Sequence, residues 1–211
     1  MMRRLIAVAG NCLHRFLVLG CATEHTFSRF KMYEAIRSAT VGHCFEGPAL
    51  SISHSTHLLP LIKAGSLPFK EANYPAVSIS HLPYEAESFG LVVSDQVFEH
   101  IDDLPSNAMR ESLRVVRKGG WVLHTTCFCT AYHGPGDYWR FTAEGLRSLA
   151  LRCGAAEAVS GTEGHPTELL LNLLGWRRLG VPKARWHPLR WLARMNRPSY
   201  GTTVWVLAKK G

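Results

Sequence analysis

The sequence predicts an α/β fold built on a doubly wound, mostly parallel sheet. Three observations carry this. Short apolar runs alternate along the chain with segments of helical period. The run Leu91-Val92-Val93 stops abruptly at Ser94-Asp95-Gln96, as a buried parallel strand does where its carboxyl end opens into a polar site. A helical pattern then leads to Gly119-Gly120 and a second apolar run from Trp121 to Leu123, which completes a strand–helix–strand unit.

Each element follows in order. Residues 28–42 carry Phe30, Tyr33, Ile36 and Arg37 at helical spacing and predict a leading helix that covers the sheet. Ala49 to Ser53 reads as the first strand, and Thr56 to Ala64 as a short helix weakened by Pro60. Phe69 to Asn73 predicts a second strand, and Pro75 to Ser80 a short third one at the edge. Leu91 to Ser94 is the next strand. In the helix after it, Asp103 can cap, Pro105 suits the first turn, and Met109, Leu113 and Val116 recur on one face. Arg117 and Lys118 would occupy its last turn, where the helix dipole favours cations, and Gly119-Gly120 would stop it. Trp121 to Thr125 is a strand. Thr142 to Cys153 is a helix with Thr142 as N-cap and Glu144 in its first turn. Ala156 to Ser160 and Thr202 to Ala208 complete the strands.

The chain of 211 residues has the size of one α/β domain, and 46% hydrophobic residues are enough for a full core. No apolar run approaches the roughly 18 residues that a membrane span needs. Met1-Met2-Arg3-Arg4 followed by an apolar stretch superficially resembles a signal peptide, but Asn11, His14 and Arg15 interrupt it and argue against export. The six cysteines include no Cys-x-x-Cys pair. They read as free thiols of a reducing cytoplasm, and no metal site is expected. Charge is uneven: of a formal net +8, the last 43 residues carry +9. Trp176, Trp186 and Trp191 are interleaved with these cations. The segment 176–197 can meet an anionic surface or substrate; the plainer alternative is a solvated helix face whose tryptophans pack onto the sheet.

Four blocks in order carry a family resemblance. They are His81-Leu82-Pro83-Tyr84-Glu85-Ala86-Glu87-Ser88-Phe89, the turn Ser94-Asp95-Gln96 with the pair Glu99-His100, the turn Val115-Val116-Arg117-Lys118-Gly119-Gly120-Trp121, and Tyr132-His133-Gly134-Pro135-Gly136-Asp137-Tyr138-Trp139-Arg140-Phe141-Thr142. Together they resemble the class I S-adenosylmethionine-dependent methyltransferases of the type 11 kind. The resemblance implies a Rossmann-like sheet of the seven-stranded type with an antiparallel C-terminal edge strand. It divides the chain into an N-terminal cover segment over 1–44 and a methyltransferase domain over 45–211. It also implies S-adenosyl-L-methionine as cofactor and a small-molecule acceptor, saccharide or lipid-linked in the branch that carries the last block.

The family's glycine-rich cofactor loop is replaced in this chain. Two segments compete for its place: Leu17 to Thr23, and Ala49 to Ser55. The second fits better, because Glu71 follows a strand and helix later, where the family's ribose-binding acid belongs. Ser51, Ser53, His54 and Ser55 would then take the place of the glycines. Ser78 stands where the family has an adenine-contacting Asp, with Ile79 beside it and His81 at the adenine rim. Ser94, Asp95 and Gln96 would line the methionine end. A hydroxyl acceptor must lose a proton, so His133 or Asp137 is the expected substrate-facing base or hydrogen-bonding group. His100 reads as a family feature of structural kind, and His124 as a core histidine. The serine-bearing loop also leaves room for a second reading, a cofactor-poor relative that acts as partner or scaffold.

Overall fold

The computed structural model describes residues 21–174 and 179–211. The signal-like N-terminus, most of the rival 17–23 segment, and Trp176, Arg177 and Arg178 lie outside the described residues. No described helix is long and apolar enough to cross a membrane.

The strands are β1 (Thr23–Thr26), β2 (Ala49–Ile52), β3 (Phe69–Ala72), β4 (Phe89–Asp95), β5 (Val116–Cys127), β6 (Ala155–Glu163), β7 (Gly180–Pro182) and β8 (Thr203–Lys210). The helices are α1 (Phe27–Ala39), α2 (Leu58–Leu61), α3 (Pro105–Val115), α4 (Ala143–Arg152), α5 (Pro166–Leu173) and α6 (Pro188–Arg194). By its internal contacts the described chain divides into two compact units, and neither is one continuous stretch.

The larger unit holds most of a six-stranded sheet of order β3-β2-β4-β5-β8-β6. β2 runs parallel to β3 and to β4, and β4 runs parallel to β5. β2 and β4 are buried along their whole length, which is why their sequences are apolar without alternation. The sheet is mostly parallel with an antiparallel edge, and β8 stands one place in from the outermost strand β6. Leu50, Val92, Val122, Met109 and Leu146 meet in its main core.

Among the described residues the sheet has six strands where the resemblance implied a seven-stranded type. Residues 75–80 form no strand. The chain passes from β3 through a turn, with only an isolated bridge between Ser78 and His81, before β4 begins. The end of α3 also differs from expectation. The helix stops at Val115, so Arg114 holds its last turn and Arg117 and Lys118 belong to β5. Gly119 and Gly120 serve the sheet instead. Pairing passes from Phe89–Val116 to Leu91–Trp121, a bulge on the β5 side. Gly119 takes φ of 71° within it. A Cβ on Gly120 would come within 2.8 Å of the Gly90 carbonyl, so the two strands approach closely there. Asp103 does not cap α3; its carboxylate accepts from Asn107 Nδ2 at 2.8 Å, and Leu104 holds the cap position. Thr142 does cap α4, accepting from the Gly145 amide at 3.0 Å.

The smaller unit contains the antiparallel pair β1–β7 and a core of Phe27, Phe30, Leu179, Val181 and Ala193. Arg190 lies 5.0 Å over the Phe30 ring and pairs with Glu24. Trp186 and Trp191 are 77% and 67% exposed, so they do not pack as the plainer reading of the basic segment required.

Candidate cofactor and acceptor site

A cleft of about 560 Å³ opens beyond the carboxyl ends of β2 and β4. Its lining includes Ser53, Tyr74, Val77, Ser78, Ile79 and Gln96, together with His100, Pro135, Gly136 and Tyr138. A second cavity of equal volume lies at the amino ends of the strands, bordered by His43, Arg117 and Trp121. Open α/β sheets bind ligands at their carboxyl ends, where a topological switch point opens a crevice. In the sheet order the chain runs outward from β2 to β3 on one side and from β4 to β5 on the other, so the order reverses between β2 and β4 and the first cleft is the candidate site.

The loop after β2 answers the missing glycines. Ser53 and His54 both adopt left-handed backbone, with φ of 51° and 61°. Side chains disfavour that conformation, which glycine adopts freely. The turn has therefore kept a glycine-type backbone without glycine. It is held from three sides. The Ser53 amide donates to the Ala72 carbonyl at 2.9 Å, the His54 amide to Asn73 Oδ1 at 2.9 Å, and Ser55 Oγ accepts from the Asp95 amide at 2.8 Å.

Among the residues expected to bind cofactor, Ser53, Ser78, Ile79 and Gln96 line the cleft. Ser51 and Ser55 are fully buried beneath it. Ser94 is buried too, its hydroxyl 2.8 Å from His124 Nδ1, so it faces the interior and not the cleft. Ser94 is still within β4, whereas Gln96 follows the strand's end with φ of 56° and leaves the sheet. Asp95 is held by Thr125, which donates to its Oδ1 at 2.6 Å, and stands 3.1 Å from His57 Nε2. Glu71 is exposed and outside the cleft lining. The polar residue that meets the His54 turn is Asn73, just past the end of β3 and two positions beyond Glu71. His81 borders a separate hollow with Asn107, Arg110 and Glu111, away from the cleft.

The loop after β5 is stitched to the 3-10 turn Phe98–His100 after β4. The Glu99 carbonyl accepts from the Tyr138 amide at 2.8 Å, and Trp139 Nε1 donates to the Ile101 carbonyl at 2.8 Å. Asp137 is gripped by Arg140, whose guanidinium holds its carboxyl down at about 2, and by the His133 amide. That side chain is 0% exposed and committed to its ion pair with Arg140. Its anion fixes His133, whose Nδ1 stands 3.2 Å from Asp137 Oδ2. His133 itself is partly exposed. Burial pushes the Cys127 thiol up to about 12, in keeping with an inert core thiol. Burial also raises the Glu99 carboxyl above its usual range.

The cleft lining adds Tyr74, Val77, Val97, His100 and Tyr138, and Asn73 braces the turn beside it. The Glu99-His100 pair was visible in sequence, but its partner residue in space was not. Asn73 could have been found as the last polar residue of the β3 segment.

This arrangement of sheet and cleft is that of a class I methyltransferase fold. Residues 49–124, from β2 to the middle of β5, match the family model described as a methyltransferase domain. Solved structures of this fold superpose on most of the chain. Phosphoethanolamine N-methyltransferase 2 of Haemonchus contortus, in complex with phosphomonomethylethanolamine and S-adenosylhomocysteine, has a TM-score of 0.55 at 13% identity, over 86% of this chain and 52% of its own. The present chain thus spans about half the length of that enzyme. A SAM-dependent methyltransferase from Archaeoglobus fulgidus has a TM-score of 0.55 at 13% identity, over 87% of this chain and 95% of its own. The [4+2]-cyclase SpnF has a TM-score of 0.51 at 15% identity, over 92% and 89%. No curated protein matches in sequence. At these identities the likeness establishes the fold, which is the class I methyltransferase fold that the sequence resemblance implied.

Proposed function

We propose that this chain binds S-adenosyl-L-methionine in the cleft at the ends of β2 and β4 and transfers its methyl group to a small-molecule acceptor. The fold alone does not carry this, since a cyclase shares it. The observation that carries it is the left-handed Ser53-His54 turn at the mouth of the cleft. Such a turn keeps the backbone conformation of a glycine loop although the glycines are gone, and so answers the motive for the scaffold reading, which rested on their loss. Val77 and Ile79 would flank the adenine, and Gln96 would face the methionine end. His100 and Tyr138 would border the entering acceptor. In the transfer, the sulfonium–methyl bond breaks as the acceptor–methyl bond forms, and the acceptor loses a proton. The cofactor arrives activated, so positioning supplies much of the acceleration.

The test is calorimetric titration with S-adenosylhomocysteine. Wild-type protein is expected to bind one equivalent. Ser53→Trp, which fills the cleft mouth, is expected to abolish binding with an unchanged circular dichroism spectrum. No heat from the wild type, or equal heat from both, would sink the proposal.

A further inference from the structure

Glu99, His100 and His133 each bring a ligand atom to within 4.8 Å of the other two. Two come from the 3-10 turn after β4 and one from the loop after β5, so adjacent parallel strands deliver all three to the same end of the sheet. The donor set is two imidazoles and a carboxylate, the set that catalytic zinc and mononuclear iron sites use while keeping coordination positions open.

The surroundings are those of a ligand set. The Nδ1 of His100 stands 2.6 Å from the Gly136 carbonyl. A carbonyl only accepts, so Nδ1 carries the proton and Nε2 keeps the lone pair. The Nδ1 of His133 stands 3.2 Å from Asp137, whose carboxylate Arg140 locks in place. Metal-ligating histidines characteristically give their other ring nitrogen to a carbonyl or a carboxylate, and this pair shows one of each. Glu99 is 2% exposed, and its Oε2 accepts from Thr126 at 2.9 Å. The two rings stand nearly perpendicular, with centroids 5.1 Å apart. His100 lines the cleft and is open to solvent.

We propose that Glu99, His100 and His133 bind a divalent transition-metal cation beside the cleft, with Asp137 as the positioning residue for His133. This reverses the expectation from sequence that the chain holds no metal site. With three protein ligands, the cation keeps positions for an oxygen atom of an acceptor. That acceptor role rests on the proposed methyl transfer; the binding of the cation does not.

The experiment is titration of metal-stripped full-length protein with Co²⁺, read by visible d–d absorption and by calorimetry, without cofactor. One Co²⁺ per chain is expected, displaced by Zn²⁺. His133→Ala and His100→Ala, both at partly or fully exposed positions, are expected to lose affinity by about 100-fold or more, and Asp137→Asn by about 10- to 100-fold. S-adenosylhomocysteine binding by His133→Ala is expected to persist, which separates failure of the metal site from failure of the cofactor site. Absence of d–d bands in the wild type would overturn the proposal. So would unchanged Co²⁺ affinity in both histidine variants.

Discussion

Ser55 Oγ accepts the backbone amide proton of Asp95 at 2.8 Å, tying the turn after β2 to the carboxyl end of β4. The same hydroxyl donates to the Ile52 carbonyl at 2.5 Å. One buried side chain therefore fixes both walls of the cleft floor, 40 residues apart in sequence.

Ser55→Ala leaves the Asp95 amide without its acceptor at a buried position. An orphaned buried group costs about 1–3 kcal/mol. The melting temperature is expected to fall accordingly, and S-adenosylhomocysteine affinity to weaken with it. A melting temperature equal to the wild type would show that the amide finds another acceptor.

Ser53 and His54 hold left-handed backbone that glycine would adopt without penalty. Gly at either position is expected to stabilise the protein by up to about 1 kcal/mol, offset partly by the greater entropy of glycine in the unfolded chain. Ser53→Gly is also expected to tighten S-adenosylhomocysteine binding, because the side chain no longer separates ligand from backbone. Urea denaturation and calorimetry read the two effects. A destabilised His54→Gly would mean that the exposed imidazole makes a contact that outweighs the backbone strain.

Two buried groups tie stability to pH with opposite signs. Burial lowers the His124 pKa from 6.5 to about 3. Below about pH 6.5 the unfolded chain gains a proton that the folded chain refuses, so this contribution is lost as pH falls, by at most about 1.4 kcal/mol per pH unit. Burial raises the Glu168 carboxyl from 4.5 to about 7, against the pull of the Thr202 hydroxyl. Its contribution is fully present below pH 4.5 and is lost as pH rises through about 7. Between about pH 4.5 and about pH 6.5 the two oppose each other. Relative to the wild type, His124→Gln is expected to gain stability toward the acid end of that window, and Glu168→Gln to lose it. Parallel urea midpoints for all three proteins would discard both assignments.

The sequence by itself determined the β4–α3–β5 unit, the strands β2, β3, β6 and β8, and helix α4 with its Thr142 cap. These are local properties: apolar runs, helical period and cap chemistry act over a few residues, so they are written where they operate. Tertiary structure decided the rest. Gly119-Gly120 looked like a helix stop, and only the close approach of β4 made it a bulge. Ser94 lies within β4 and turns inward, while Gln96 lies just past the strand with left-handed backbone, φ of 56°, and reaches the site. Asn73, not Glu71, meets the His54 turn, because the chain beyond the β3–β2 pairing carries it there. Most of all, His133 stands 33 positions beyond His100 in sequence, and parallel pairing of β4 with β5 brings their rings to 5.1 Å. No local pattern encodes a meeting of that kind; it exists only once the sheet has aligned the two loops.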